Sequence, residues 1–133
     1  MPKGLNKEIG KRGEEIAAEY LRGHGYRVIE RNYRTRFGEI DLILEGPSTN
    51  FRSSRLIFVE VKLKVGEKFG SPEEMITKSK VWQIRRTAEG YLLENSQMKE
   101  KFSKYQIDAV CIVTGGKDSI DRISHYENIE SDL

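Results

Sequence analysis

Asp41, Glu60 and Lys62 stand on two candidate strands at places where solubility does not call for charge. Glu60 and Lys62 interrupt the apolar run Leu56-Ile57-Phe58-Val59-Glu60-Val61-Lys62-Leu63 at alternate positions. Side chains two apart on a strand share a face and lie roughly 6.6 Å from each other. Ile57, Val59, Val61 and Leu63 make up the other face, which is wholly apolar and therefore turned to a core. In Glu39-Ile40-Asp41-Leu42-Ile43-Leu44 the same rule sends Ile40, Leu42 and Leu44 one way, and Glu39 and Asp41 the other. If the two strands pair antiparallel, three acids and a lysine converge on one face.

Convergence of that kind calls for a cation. Two carboxylates about 4 Å apart repel by roughly 4 kcal/mol at an effective dielectric near 20. A whole domain is stabilised by only about 5–15 kcal/mol. Without compensation, one carboxyl would have to hold its proton or the pair would splay apart. A hard divalent ion removes the conflict by taking oxygen ligands from both.

The elements that must position these residues read as follows. Ile9, Gly13, Ile16, Ala17, Tyr20 and Leu21 form one stripe at helical spacing, predicting a helix from about Asn6 to Arg22. Glu14 lies on the edge of that stripe, about 90° from its centre. Gly23-His24-Gly25 ends the helix, glycine being suited to a left-handed cap. A strand over about Tyr26 to Tyr33, a turn at Thr35-Arg36-Phe37-Gly38 and a strand over Glu39 to Glu45 make a hairpin. Gly46 to Arg55 is a polar loop, and the strand with Glu60 and Lys62 follows. Ser71-Pro72-Glu73-Glu74 has the pattern of a capping box. Val81, Ile84, Ala88, Tyr91 and Leu92 predict a helix over Lys78 to Leu93, with Trp82 on the flank of the stripe, at a core edge or a dimer contact. A strongly apolar strand, Tyr105 to Thr114, precedes the turn Gly115-Gly116-Lys117-Asp118 and a weaker edge strand, Ile120 to Tyr126. The order is αβββαβ with one further edge strand: an α/β fold whose mixed central sheet of four or five strands is flanked by helices.

Composition narrows the class. The 133 residues suit one domain, taken as 1–133. With 33% charged residues and apolar residues spread throughout, the chain is globular and not disordered. Its net charge of +2 says little about partners. Cys111, the single cysteine, excludes an intrachain disulfide or a thiolate metal site and reads as a buried hydrophobe. There is no apolar leader near Met1 and no run approaching the ~20 apolar residues of a membrane span, so a cytoplasmic, non-membrane protein is expected.

Glu14 on a first helix, Asp41 on a second strand and Glu60-Val61-Lys62 on a third resemble the PD-(D/E)xK nucleases, the superfamily of restriction endonucleases and archaeal Holliday-junction resolvases. Gly13-Glu14, Tyr20-Leu21, Arg31-Asn32-Tyr33-Arg34, Gly38-Glu39-Ile40-Asp41-Leu42-Ile43, Phe58-Val59-Glu60-Val61-Lys62 and Phe69-Gly70 are similar to the bacterial YraN-type family. The likeness extends through Lys78, Gly90-Tyr91-Leu92 and Ile107-Asp108-Ala109-Val110. Ile40 replaces the superfamily's proline before the aspartate, and Lys64 stands where relatives often have arginine. The resemblance implies a restriction-endonuclease-like fold and a metal site at one sheet edge. It implies Mg²⁺ or Mn²⁺ on Asp41, Glu60 and the Val61 carbonyl, with Glu14 on a metal-bound water or a second ion and Glu39 in reserve. Lys62 would orient the attacking water or stabilise charge on phosphate. By analogy with resolvases, a homodimer is expected.

Arg31, Arg34 and Arg36 flank the hairpin turn, while Lys64, Lys78 and Lys80 follow later, and together they predict contacts to nucleic-acid phosphates, DNA before RNA. Tyr33 and Phe37 beside the arginines are expected to stack on unpaired bases. The expected activity is metal-dependent hydrolysis of phosphodiesters in DNA, branched or damaged DNA included. A binding or assembly module on the same fold without catalysis is the alternative, and a purely structural domain is a third. Polar alternation on a strand ordinarily marks a solvated face, and Asp108, opening an apolar strand, reads as structural. His24 and His125 have no place in the expected site.

Overall fold

The computed structural model describes residues 3–48, 54–116 and 119–132. Helix α1 (Lys3–Gly23) is followed by β1 (Arg27–Thr35), β2 (Gly38–Glu45) and β3 (Leu56–Val65). Next come α2 (Lys78–Glu94), the short α3 (Ser96–Lys101), β4 (Tyr105–Thr114) and β5 (Ile120–Tyr126). The five strands form one sheet in the order β1-β2-β3-β4-β5. Only the β3–β4 pair is parallel, and α2 and α3 lie in the connection it requires. The architecture is the α/β, restriction-endonuclease-like one expected, mixed sheet included. No helix among the described residues is long and apolar enough to cross a membrane.

The central strand is apolar on both faces because both are covered. Ile57, Val59 and Val61 pack with Leu42, Leu44, Val110 and Ile112 under Ala17, Ala18 and Leu21 of α1. Leu56 and Phe58 pack on the opposite side with Ile43 and Ile107 against Val81, Ile84, Ala88 and Tyr91 of α2. Glu60 and Lys62 continue the α2 side of β3 beyond the end of that second core.

Two local features seat α1. At Gly13, a Cβ would stand 3.1 Å from Leu63 Cβ and 3.5 Å from Val61 Cγ1, so the bare glycine lets the helix lie close on β3 and brings the adjacent Glu14 to the sheet. The helix closes where Tyr26 N–H donates to Leu21 O and Gly25 N–H to Arg22 O, with Gly25 at φ +90°, a Schellman cap.

Two sequence expectations are corrected. Pro72–Met75 is a single 3₁₀ turn in which the Ser71 side chain caps nothing. The cap of α2 is Thr77, whose hydroxyl accepts from Lys80 N–H at 3.1 Å. Ile40 does not share a side with Leu42 and Leu44: it lies in the α2 core and they lie in the α1 core. The alternation breaks at Asp41, which is where the site begins.

Candidate active site

The broken alternation has a counterpart in β1. Arg31 pairs with Leu42 and Tyr33 with Ile40, so both strands change sides together across Asn32 and Asp41. Asn32 makes the change with a left-handed backbone, φ 53°. Asparagine tolerates that region better than most residues, but it is uncommon inside a strand. The twist turns the Asn32 side chain toward Glu14, to which it is hydrogen-bonded.

Next to it the sheet forks. The β2–β3 ladder runs from Glu45 opposite Leu56 to Leu42 opposite Val59 and then stops. Asp41 and Glu60 would have formed the next pair. β3 continues instead along β4, to Val65 opposite Thr114. Opening the fork frees the Val61 N–H, which donates to Asp41 Oδ2 at 2.8 Å. The aspartate is thereby fixed in the crotch of the fork by the strand it has left.

Four carboxylates meet around this point. Glu14, Glu39 and Asp41 each offer an oxygen within 4.8 Å of the others. Glu60 approaches Asp41 closely enough for side-chain hydrogen bonding, and the Asp41 charge raises the cost of ionising Glu60, as Glu39 does for Asp41. Glu60 is only 3% exposed, and its Oε2 has no hydrogen-bond partner. Lys62 Nζ lies 3.7 Å from Glu60 Oε1 and Lys80 Nζ 3.9 Å from Oε2, loose ion pairs that neutralise without donating.

The electrostatics follow. Burial, then the Asp41 charge, raises the Glu14 carboxyl from 4.5 to about 7. Burial, then Asp41, pushes Glu60 above the usual carboxylate range. Asp41 is also raised, by burial first, with the Val61 N–H opposing. A buried acid without donors ordinarily loses several kcal/mol of solvation. The three close oxygens of Glu14, Glu39 and Asp41 fit a hard divalent cation, whose ligands lie about 2.0–2.6 Å from it. Glu60, with its orphaned Oε2, stands beside Asp41 at their edge. Asp41, Glu14, Glu39 and Glu60 are the residues that could hold it.

A cleft of about 730 Å³ opens over this cluster. Glu14, Asp41, Glu60, Val61 and Lys62 all line it, as do Arg34 and Lys80 among the predicted phosphate contacts. The other four predicted cations lie elsewhere. Arg31 sits 3.7 Å from Glu15, Arg36 covers the Phe37 ring, Lys64 lies along β3, and Lys78 lines a separate groove beside Tyr126. Lys7, Lys11 and Asn32 line the cleft and were not singled out in the sequence. Lys7, Lys11 and Glu14 share the i, i+4, i+7 spacing of one helix face, a signal that was available. Nothing in the local sequence of Asn32 announces its backbone.

Comparison with known proteins places the chain among relatives. The model of a family described as uncharacterised protein family UPF0102, the YraN family, matches residues 13–112. A UPF0102 protein of Syntrophomonas wolfei is 40% identical over 120 residues, covering 90% of this chain and 96% of its own. One from Persephonella marina is 45% identical over 101 residues, covering 76% and 81%. One from Alkaliphilus oremlandii is 43% identical over 91 residues, covering 68% and 73%.

Proposed function

The chain belongs to the uncharacterised family UPF0102, and from that premise we propose that it is a divalent-metal-dependent nuclease acting on DNA. The observation that carries this reading is Glu60 Oε2, buried without a donor beside Asp41. An acid so placed weakens the fold, and a bound cation gives it a use.

Asp41, Glu60, Glu14 and Glu39 would hold Mg²⁺ or Mn²⁺, with the Val61 carbonyl as a further oxygen. The ion would supply charge neutralisation at a bound phosphodiester and acidify a water for attack. Val61 N–H orients Asp41, and Asn32 orients Glu14. Lys62, 3.7 Å from Glu60 and half-buried in the cleft, keeps its ammonium where charge builds on the phosphate. Arg34, Lys80, Lys7 and Lys11 supply sequence-independent attraction to flanking phosphates.

Linear, nicked, single-stranded and four-way DNA, and RNA, are to be incubated with the protein in Mg²⁺ or Mn²⁺ and in EDTA. Cleavage of DNA that EDTA stops, and that Asp41→Asn abolishes, is the expected result. Binding without metal-dependent cleavage of any substrate would overturn it in favour of a binding or assembly module.

A further inference from the structure

Outside the cleft, the hairpin between β1 and β2 carries an arrangement that core packing does not explain. Phe37 at its tip is 42% exposed and Trp82 on α2 is 58% exposed. The Arg86 guanidinium lies between them, 4.9 Å from the Phe37 ring centroid and 5.0 Å from that of Trp82. Arg36 adds a second guanidinium 5.0 Å from Phe37. Two aromatic rings and two guanidinium groups thus lie side by side in one contiguous patch. Trp82, expected at a core edge or a dimer contact, is therefore exposed and outside the core. Tyr33, the other aromatic expected to stack on bases, is committed instead: it packs edge-on against Tyr91, and its hydroxyl donates to Glu94 at 2.9 Å.

The surface is joined to the cleft. A Cβ at Gly38 would lie 3.2 Å from both Gln83 Cγ and Thr87 Oγ1, so the hairpin tip rests directly on α2. Lys80, Gln83 and Arg86 follow one another at i, i+3 spacing, a row that leaves the cleft at Lys80 and reaches the patch at Arg86 about 9 Å further along the axis. Arg34 meets Glu39 at 3.3 Å on the same hairpin. Among the described residues no carboxylate pairs with Arg36 or Arg86, so their charge is left for an outside anion.

We propose that Phe37, Trp82, Arg36 and Arg86 form a platform that stacks the unpaired bases of a single-stranded segment whose backbone leads into the cleft. Every base presents a π-face to rings or guanidinium planes, so such a platform selects unpaired structure and not sequence. A duplex offers those faces only at its ends. The uncompensated positive charge suits a polyphosphate backbone. This rests on the reading of the cleft as a nucleic-acid site, and it specifies the structure of the substrate there.

The test is binding of labelled single-stranded DNA, single-stranded RNA and a long duplex by the full chain in EDTA. Trp82 emission provides a second readout. Single strands of DNA or RNA should bind and quench Trp82. Trp82→Ala and Phe37→Ala should each weaken that binding about 5–100-fold. Duplex affinity should stay unchanged and Trp82→Phe should retain most of the binding. Arg86→Lys, which keeps charge but loses the plane, should weaken single-strand binding too and guards against an alanine variant that does not fold. Equal single-strand affinity in all variants, equal loss on duplex, or no single-strand binding by the wild type would overturn the proposal. Because no metal is present, failure of metal-dependent cleavage leaves this result standing, and absence of stacking leaves the metal reading standing.

Discussion

Two acids on neighbouring strands are equally hidden from water and sit in opposite surroundings. Asp108 of β4 is fully buried and satisfied. It accepts from Gln106 Nε2 at 2.8 Å, from His125 Nε2 at 2.8 Å and from the Asn128 N–H at 2.9 Å. Buried Arg55 donates to Gln106 and lies 3.8 Å from Glu127, extending the network. Glu60 of β3 is as buried but receives no donor at Oε2, and faces Asp41. The first acid fastens the end of the sheet. The second has two lysines at 3.7 and 3.9 Å to offset its charge, but no hydrogen bond to replace the water that Oε2 has lost. Satisfied buried carboxylates are architecture, and unsatisfied ones beside each other point to chemistry.

The contrast can be broken at four places. The largest effect is expected at the fork, where Asp41→Asn or Glu60→Gln should cut metal-dependent cleavage by more than about 10⁴-fold. Either variant should melt no lower than wild type at pH 8 in EDTA, since a repulsion has been removed. Lys62→Ala should cost roughly 10²–10⁴ in rate while Mn²⁺ affinity, followed by calorimetry, is retained. Asp108→Ala should do the reverse. It strands three donors and should cost about 2–4 kcal/mol in urea denaturation, with cleavage per folded molecule unchanged. If it abolished cleavage without destabilising, the distinction between the two acids would be lost.

The smallest effect is in pH. The Glu14 carboxyl holds its proton to about 7 in the folded protein against 4.5 ordinarily, and Glu60 is shifted the same way. Between those values the folded state binds more protons than the unfolded one, so stability falls as pH rises through that window. In EDTA the melting temperature should therefore decline from pH 5 to pH 8. Mn²⁺ should raise it at pH 8, by about 2.7 kcal/mol of added stability at a hundredfold excess over Kd, and little at pH 5. A melting temperature that rises across the same window in EDTA would contradict the shifts.

Much of this was legible because strands have a period of two. Glu60 and Lys62 break an apolar run at alternate places, and Asp41 breaks another, so the pattern alone marked them as candidates for a common site. Glu14 could be placed on a stripe edge by helical spacing. The fork could not be read. Where β2 stops pairing depends on β3 preferring β4, a tertiary choice, and the face change at Asn32 is a single backbone torsion within residues that look like an ordinary strand. That is why Ile40 was expected beside Leu42, and why Glu39 read as a reserve although it belongs to the closest group of oxygens. Ser71 matched a cap by type, but only one 3₁₀ turn follows it, whereas Thr77 caps a helix of 17 residues. Trp82 could not be assigned from its helix alone, since its partners are Arg86, one turn along, and, through that guanidinium, Phe37 of a distant hairpin.

Calorimetric titration of Mn²⁺ at pH 8 into metal-stripped wild type, Glu60→Gln and Asp108→Asn tests the central claim, that the unmet acids at the fork await a cation. Saturable binding by wild type and Asp108→Asn, lost in Glu60→Gln, is the predicted result. Wild-type affinity retained in Glu60→Gln, or no binding by the wild type, would contradict it.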